Sequence, residues 1–526
     1  MAAPHPLTDL PLLPHLIIDG LNRYNDEPCL HLGDTVASYR EVREQTSRFV
    51  QALHSVGLGK GSRVAVISAN RPEVLYNIAA MQISGCCGTT LHPLGSIDDH
   101  AYIIDDAGIE ALVYDPTAFE ELATELRRRC PTLKHLLAFG PTTAGQDYTA
   151  LAAGFEPQPL TPPDVAPDDI GSIVYTGGTT GRPKGVLQPY RASAWMTMTQ
   201  MADWEWPDPL RILIATPLSH AGAAFFVPAL QRGGCIYVMQ KFSPDGFFDM
   251  VEQHKITATM LVPVMIYVLL DHPRAKTADM SSLQTLFYGA APMNPTRLAD
   301  GIRQWGHIFF QFFGQSEAPM VIASMRRKEH DLNKPERLSA CGRPSPWIKV
   351  ALLDDELNPV PHGEAGEICI RGPLVMAGYH NLPEQTAETL KGDWLHTGDV
   401  GRFDDDGFLY IVDRTKDMIV SGGFNVYPRE VEDIIAAHPA VAQVAVIGTP
   451  SEKWGEEVRA VIVLRPGHEP SDELAAEIQQ QVKDAKGSVQ TPKTVEFVDA
   501  LPLTAVGKPD KKALRARYWE GHDRAI

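Results

Sequence analysis

Short apolar runs alternate with helix-patterned segments along most of this sequence. RVAVIS (63–68) lies between two segments with helical spacing, SYREVREQTSRFVQALHSVG (38–57) and RPEVLYNIAAMQISG (71–85). The alternation continues through EALVYD, RILIAT, GCIYVM, ATMLVP, TLFYG and HIFFQFFG. Apolar strands that are separated by helices favour parallel or mixed sheets covered by helices, so the sequence predicts an α/β fold.

The pattern changes in the last third of the chain, which indicates more than one domain. After about residue 345, shorter strands alternate with Gly/Asp turns, as in GEAGEICIRG (363–372), and predict a small antiparallel subdomain. A separate helix, strand and strand pattern begins at PREVEDII (428–435). Because 526 residues exceed the usual size of one core, we predict an N-terminal domain over 1–413, a hinge at 414–417 and a small mobile α+β C-terminal domain over 418–526.

Composition and charge exclude several classes of protein. A net charge of −18 disfavours nucleic acid as a partner. The seven cysteines have no metal-site spacing, so we expect buried, reduced thiols. No basic residue precedes Arg23, and the most apolar run (260–270) is short and contains Pro263, so we expect no signal peptide, no membrane span and a cytoplasmic location.

The segment VYTGGTTGRPKGV (174–186) follows the apolar run GSIVY and combines flexible backbone with hydroxyl and cationic donors. Glycines let backbone N–H groups converge on an anion, so this loop suits a polyphosphate. It is not a Walker loop, because Arg182 and Pro183 separate Gly181 from Lys184. Taken alone, the loop could equally be an ordinary surface turn.

Five motifs in order resemble the signatures of the adenylate-forming superfamily, which includes acyl-CoA and aryl-CoA ligases, nonribosomal adenylation domains and luciferases. The chain departs from the common family pattern at Gly177 or Gly178 (Ser), Phe313 (Tyr), Ser316 (Thr) and Asp413 (Gly). The five motifs are YTGGTTGRPKGV (175–186), FFGQSEAP (312–319), HTGDVG (396–401), DRTKDMIVSGGFNVYPREVE (413–432) and PLTAVGKPDKKALR (502–515).

The resemblance implies roles for particular residues. Glu317 would help to hold Mg²⁺, Asp399 and Arg414 would contact the AMP ribose, and Lys508 would act in the adenylation step. The phosphate-loop residues would be Thr176, Gly177, Gly178, Thr179, Thr180, Gly181 and Lys184, with Thr176 and Lys184 also acting in catalysis. The residues that would border the nucleotide or the thiol tunnel are Gly289, Ala290, Ala291, Phe312, Phe313, Gly314, Ser316, Ile411, Lys416, Gly422 and Gly423.

The acid pocket is also assigned from position in the family pattern. His220 would lie beside the carboxylate, although a core histidine is the ordinary interpretation of such a residue. No acidic residue occurs from Thr216 to Leu230, which disfavours an amino acid as the substrate. The candidate pocket residues are His220, Phe225, Met265, Tyr288, Gly289, Phe312, Ser316 and Met320.

The resemblance therefore predicts an enzyme that uses ATP, Mg²⁺ and CoA to convert an aryl or medium-chain acid, through an acyl-adenylate, into acyl-CoA, AMP and pyrophosphate. An acyl carrier protein or another nucleophile could replace CoA, although we expect no fused carrier domain. A non-catalytic nucleotide-binding relative is the alternative of a different class. The sequence leaves a monomer and a homodimer equally open.

Overall fold

The computed structural model describes residues 10–33, 35–176, 183–414, 417, 419–421, 424–451, 455–503 and 509–519. Within them lie two large sheets, a four-stranded antiparallel sheet and a five-stranded sheet near the C-terminus. The predicted α/β class, with a small antiparallel sheet and an α+β C-terminal unit, is confirmed.

The first large sheet has eight strands in the described part of the chain and is parallel through its centre. The first three strands in spatial order pair antiparallel, and they include the return from the glycine-rich loop. In spatial order the strands are Gly378–Tyr379, Lys184–Pro189, Ile170–Thr176, Cys87–Thr90, Arg63–Ile67, Ala111–Tyr114, His135–Ala138 and Gln146–Asp147.

The second large sheet has nine described strands, with a parallel centre and antiparallel edges. Every apolar run that predicted a strand in this region forms one. In spatial order the strands are Arg343–Pro344, Ala323–Met325, Phe309–Phe313, Thr285–Tyr288, Ala258–Leu261, Arg211–Ile214, Cys235–Val238, Pro28–Leu32 and Thr35–Ser38.

The two smaller sheets divide the C-terminal third of the chain. The four-stranded sheet contains Lys349–Leu353, Gly366–Arg371, Leu395–Phe403 and Leu409–Arg414. The five-stranded sheet contains Phe424–Val426, Ile419–Ser421, Gly455–Leu464, Val441–Ser451 and Thr494–Phe497. The chain changes sheet between Arg414 and Ile419, the region where we predict the hinge; the domain boundaries themselves stay a prediction.

Helices cover the sheets, and capping residues in the sequence mark where they begin. The helix Tyr39–Ser55 begins at Ser38, whose hydroxyl accepts from the Glu41 N–H while the Glu41 carboxylate accepts from the Ser38 N–H. The described helices are Leu13–Arg23, Tyr39–Ser55, Pro72–Ile83, Ile97–Ala107, Pro116–Arg129, Tyr148–Ala153, Tyr190–Asp203, Phe226–Gln231, Pro244–His254, Pro263–Asp271, Pro295–Trp305, Pro383–Thr389, Pro428–Ala436, Asp472–Lys486 and Lys511–Trp519.

Two further expectations can be compared with the structure. All seven cysteines are buried and unpaired, as predicted. The most apolar run is split between the strand Ala258–Leu261 and the helix Pro263–Asp271, because Pro263 takes the first helical position. Among the described helices, none has both the length and the apolar character needed to cross a membrane.

Candidate active site

The strands on either side of the glycine-rich loop form an antiparallel pair. Thr176, at the end of one strand, is the register partner of Lys184, which begins the next. Lys184 therefore opens a strand and not a helix, in agreement with the exclusion of a Walker loop. The predicted phosphate-loop residues Gly177, Gly178, Thr179, Thr180 and Gly181 lie outside the described residues.

Tyr379 joins the predicted metal ligand to this pair of strands. Its short strand, Gly378–Tyr379, pairs with Lys184–Pro189, and its hydroxyl donates to Oε1 of Glu317 over 2.7 Å. The ammonium nitrogen of Lys184 lies 5.1 Å from the centre of the Tyr379 ring, within the range of a cation–π contact. Burial, followed by the charge of Glu317, raises the pKa of Tyr379, so the phenol keeps its proton and donates it.

Gln315 connects the same motif to the predicted ribose ligand. Its amide nitrogen donates to the Thr397 carbonyl over 3.0 Å and to Oδ2 of Asp399 over 2.6 Å. Asp399 is only 4% exposed and is the backbone register partner of Arg414 on the next strand. The structure therefore brings Glu317, Asp399 and the backbone of Arg414 to one region through a residue that sequence analysis did not select.

The predicted acid pocket divides between two core clusters. Phe225 and Phe312 pack with Trp204 in one cluster, where Phe312 stacks on Trp204 with ring centres 5.2 Å apart. Tyr288 is fully buried in the other cluster, against which the half-buried Met265 packs. Neighbouring side chains of the strand Thr285–Tyr288 point to opposite faces, so the structure does not bring Tyr288 together with Phe225 and Phe312.

The hydroxyl of Tyr288 belongs to a buried polar network. It donates to Oε1 of Gln311 over 2.8 Å and lies 2.9 Å from Nε2 of His330. Burial lowers the pKa of His330 to about 4, so this ring is neutral, and its Nδ1 donates to the Arg326 carbonyl over 2.9 Å. These contacts hold the Tyr288 side chain within the core.

Small residues at two strand ends leave room for close backbone packing. A Cβ atom on Gly289 would lie 2.4 Å from the Phe312 carbonyl oxygen, and one on Gly314 would lie 2.1 Å from the Met320 nitrogen. Ala290 and Met320 both adopt positive φ angles, 63° and 59°. The segments 289–291 and 312–320 are thus packed against each other at the strand ends, where α/β proteins place ligands.

His220 precedes the short 3₁₀ turn Ala221–Phe225 at a place where the two large sheets meet. Its Nδ1 atom lies 2.9 Å from the Ser219 hydroxyl, and its ring packs edge-on against His92, with centres 4.7 Å apart. Desolvation, and secondarily the neighbouring His92 ring, lowers the pKa of His220. A neutral imidazole at this position can accept or donate a hydrogen bond without adding charge.

Asn70 fixes the backbone near this histidine. Its side-chain nitrogen donates to the carbonyls of Thr216 and Met239, each over 3.0 Å, and its oxygen accepts from the Leu218 N–H over 2.8 Å. Asn70 follows the strand Arg63–Ile67 of the first large sheet, and the groups that it binds belong to the second. It therefore ties the His220 segment across the two sheets.

Comparison with models of protein families shows to which family the chain belongs. The family model described as AMP-binding enzyme matches residues 19–380, and that of the AMP-binding enzyme C-terminal domain matches residues 430–508. The chain belongs to the AMP-binding enzyme family. The superfamily that the five motifs predicted is thereby confirmed.

Relatives of this AMP-binding enzyme are similar over nearly their whole length. The medium/long-chain-fatty-acid–CoA ligase FadD8 of Mycobacterium tuberculosis is 52% identical, with 97% of this chain and 91% of the relative covered. A feruloyl-CoA synthase of Amycolatopsis is 35% identical, with 92% and 95% covered. Among solved structures, the amide bond synthetase McbA of Marinactinospora thermotolerans is 33% identical with a TM-score of 0.88, over 96% of this chain and 99% of that one.

Several predicted residues of this AMP-binding enzyme are not described in the structure or are described only in part. Lys416, Gly422, Gly423 and Lys508 lie outside the described residues. Ile411 is the register partner of Gly401 in the same pair of strands as Asp399 and Arg414. Sequence analysis missed Tyr379, Gln315, Trp204 and Asn70, because their roles depend on partners far away in the sequence.

Proposed function

We propose that this chain is an ATP-dependent carboxylic acid–CoA ligase that forms an acyl-adenylate and passes the acyl group to CoA, releasing AMP and pyrophosphate. The observation that carries the proposal is the junction at Gln315 and Tyr379, through which the Glu317 motif contacts both Asp399 and the Lys184 strand. The 52% identity to a fatty-acid–CoA ligase over nearly the whole chain supports the same reaction.

The residues of this junction suit the handling of a nucleotide. Asp399 can accept hydrogen bonds from the two ribose hydroxyls, and Gln315 keeps its carboxylate in position. Lys184 and Thr176 face each other at the base of the predicted phosphate loop, where a cation and a hydroxyl can bind phosphate oxygens. Attack of a carboxylate on the α-phosphate needs mainly such positioning and charge neutralisation.

The residues present fit the Mg²⁺ ion that the family implies. Mg²⁺ is usually held by one or two carboxylates together with substrate phosphates. Glu317 offers one carboxylate, and it contacts the same tyrosine, Tyr379, that Lys184 contacts. The Tyr379 hydroxyl occupies Oε1 of Glu317, which fixes the direction of the carboxylate. When bound, the ion neutralises phosphate charge; Glu317 would be its protein ligand.

The C-terminal domain acts in both halves of the cycle in this proposal. Residues 414–417 act as a hinge that absorbs backbone rotation, and Lys508 neutralises charge in the adenylation step. Rotation about the hinge, in which Lys416 lies, then replaces Lys508 with the SGGFN segment, whose Gly422 and Gly423 line the path of the CoA thiol. Two sites are thus built in turn from one chain.

In this proposal the substrate is a medium-chain or aryl carboxylic acid that carries no charged amino group. The segment from Thr216 to Leu230 contains no acidic residue that could pair with an amino group. The described aromatic cluster around Phe225, Phe312 and Trp204 is apolar, and the neutral His220 can donate to the carboxylate. Two relatives are named as a fatty-acid–CoA ligase and a feruloyl-CoA synthase, and these names support both acid classes.

The test is pyrophosphate release from Mg·ATP with a panel of short, medium, long and aryl acids, with and without CoA. Turnover should require both an acid and CoA. Lys508→Ala should lower adenylate formation on the order of 100-fold, whereas Lys512→Ala, at an exposed lysine nearby, should not. A Lys508→Ala enzyme that forms adenylate at the normal rate would contradict the proposed cycle.

An amine acceptor is a second candidate, because the chain is structurally similar to an amide bond synthetase. The same assay distinguishes the two when a primary amine replaces CoA. Thioester formation supports the ligase, and amide formed faster than thioester supports the alternative. Release of pyrophosphate with neither product would point to the thiol of a carrier protein as the acceptor.

A further inference from the structure

Three metal-ligand side chains meet on one face of the four-stranded antiparallel sheet. Glu367 and Cys369 are two residues apart on the strand Gly366–Arg371, so both point to the same side. His396, on the strand Leu395–Phe403, is the direct cross-strand partner of Cys369. Their ligand atoms all lie within 4.8 Å of one another.

The hydrogen bonds of His396 show which ring nitrogen faces the other two groups. Nε2 lies 3.1 Å from the Lys391 carbonyl, which can only accept, so Nε2 carries a hydrogen. Nδ1 then faces Oε2 of Glu367 at 2.7 Å and the Cys369 sulfur at 3.5 Å. A ring nitrogen and a carboxylate oxygen at 2.7 Å share either a proton or a metal ion, because two bare acceptors at that distance would repel each other.

The choice of ligands indicates which metal this group would prefer. Thiolate, imidazole and carboxylate together suit Zn²⁺, whereas Mg²⁺ prefers oxygen ligands only. A tetrahedral Zn²⁺ ion with bonds of about 2.0 to 2.3 Å keeps its ligand atoms roughly 3.3 to 3.7 Å apart. The nitrogen and sulfur atoms already have this spacing, so only the Glu367 carboxylate must move outward.

Burial permits access to the group from one side. Cys369 is fully buried, while the side chains of His396 and Glu367 are 14% and 29% exposed. An ion can therefore enter past Glu367 and leave one coordination position open to solvent.

The group is connected to the proposed ribose ligand through one residue. The second oxygen of Glu367 accepts from the Gly398 N–H over 2.9 Å, and Gly398 adopts a φ of 70°, a conformation that favours glycine. Asp399 follows directly, and its own N–H bonds to the Thr397 hydroxyl over 3.1 Å. Movement of Glu367 toward an ion would release Gly398 and shift the turn that positions Asp399.

We propose that Glu367, Cys369 and His396 form a Zn²⁺ site that regulates the enzyme by weakening nucleotide binding through Gly398 and Asp399. The regulatory part rests on the proposed function, in which Asp399 binds the ribose. The metal site itself does not, since it can be measured without substrate or turnover.

The first experiment measures metal binding to the full chain. Chelator-treated protein is titrated with Zn²⁺ against a chromophoric indicator, and with Co²⁺ to detect a sulfur-to-metal charge-transfer band. Cys369→Ser should remove the band and weaken Zn²⁺ binding on the order of 100-fold. Loss of a residue that only supports a metal ligand already lowers affinity by up to about 100-fold, and Cys369 would be a ligand itself. Cys130→Ser, at another buried thiol, should keep both signals.

His396→Gln and Glu367→Gln provide the same test if Cys369→Ser does not fold. Unchanged Zn²⁺ affinity in all three variants, or a Co²⁺ complex without the charge-transfer band, would overturn the metal site and leave a proton between His396 and Glu367. The second experiment measures equilibrium AMP binding at buffered free Zn²⁺. Affinity should fall at least about 5-fold in the wild type and stay constant in Cys369→Ser; no change in the wild type would overturn the regulation.

Discussion

The hydroxyl of Tyr379 donates a hydrogen bond to Oε1 of Glu317 over 2.7 Å, although the two residues are 62 positions apart in the sequence. The same ring lies against the ammonium of Lys184, with 5.1 Å between the nitrogen and the ring centre. One side chain therefore fixes the spacing between a carboxylate and a cation that the proposed reaction uses on the same triphosphate. Tyr379 is a positioning residue in this site.

Tyr379→Phe should slow adenylation while leaving the fold intact. The change keeps the ring beside Lys184 and removes only the hydrogen bond to Glu317, a bond to a charged group that contributes about 1.5 to 3 kcal/mol. Because Glu317 is partly solvated, we expect the lower end, about a 10-fold fall in kcat/KM for ATP and a higher Mg²⁺ requirement. Pyrophosphate release across a Mg²⁺ titration measures both.

Tyr410→Phe is the matched control, since it removes another tyrosine–carboxylate bond, from Tyr410 to Asp404 over 3.1 Å. Tyr410 neighbours Ile411 and points to the opposite face of its strand. Equal losses in the two variants would mean that the effect of Tyr379→Phe is general and not specific to Glu317.

Gln315→Met should weaken nucleotide binding. The substitution keeps the length of the side chain and removes the bonds to Asp399 and to the Thr397 carbonyl. The buried Asp399 carboxylate would lose a partner, so we expect Kd for AMP to rise about 10-fold, with little change in KM for the acid. Isothermal titration with AMP is the direct measurement.

Gln480→Met provides the comparison for that variant, because Gln480 also donates to a carboxylate, that of Asp484 over 2.6 Å, on the surface of the helix Asp472–Lys486. Its AMP affinity should equal that of the wild type. An unchanged AMP affinity in Gln315→Met would show that Asp399 keeps its position without this contact.

The elements of the fold could be predicted because each leaves a local pattern. Buried parallel strands appear as apolar runs, and the runs around 258–261, 285–288 and 309–313 all form strands. Local periodicity and turn chemistry carry this information. Two residues that the resemblance selected, Glu317 and Lys184, both contact Tyr379 in the structure.

The contacts that connect the site could not be predicted from local pattern. Gln315 reaches Asp399 across 84 positions, and Tyr379 reaches Glu317 across 62, so both contacts depend on how separate sheets pack. The side to which Tyr288 points has the same origin, because a strand buried on both faces gives no polar alternation to distinguish them. Its place in the second core cluster therefore became clear only in three dimensions.

Gly289→Ala should destabilise the protein and impair the site. A Cβ atom there would lie 2.4 Å from the Phe312 carbonyl oxygen, a backbone atom that cannot move away easily. Such overpacking costs about 1 to 3 kcal/mol. Thermal unfolding should show a lower midpoint for this variant and not for Gly59→Ala, whose new methyl group would meet nothing within 4 Å; a midpoint equal to that of the wild type would refute the clash.

Asp433→Asn should change how stability depends on pH. Asp433 lies on the helix Pro428–Ala436, where burial raises the pKa of its carboxyl to about 6, above the unfolded value of about 3.9, despite the opposing charge of Arg429. For a raised pKa, the folded state gains stability while the group is protonated. That gain is complete below the unfolded pKa and is lost as the pH rises through about 6.

The variant should therefore match the wild type near pH 4 and become more stable than it between pH 4 and pH 7, by about 2 kcal/mol. Urea denaturation of both proteins across this range gives the difference directly. Asp499→Asn, at an exposed position in the same part of the chain, should show a constant difference. A stability gap between Asp433→Asn and the wild type that does not grow with pH would mean that Asp433 is ionised in the folded protein without cost.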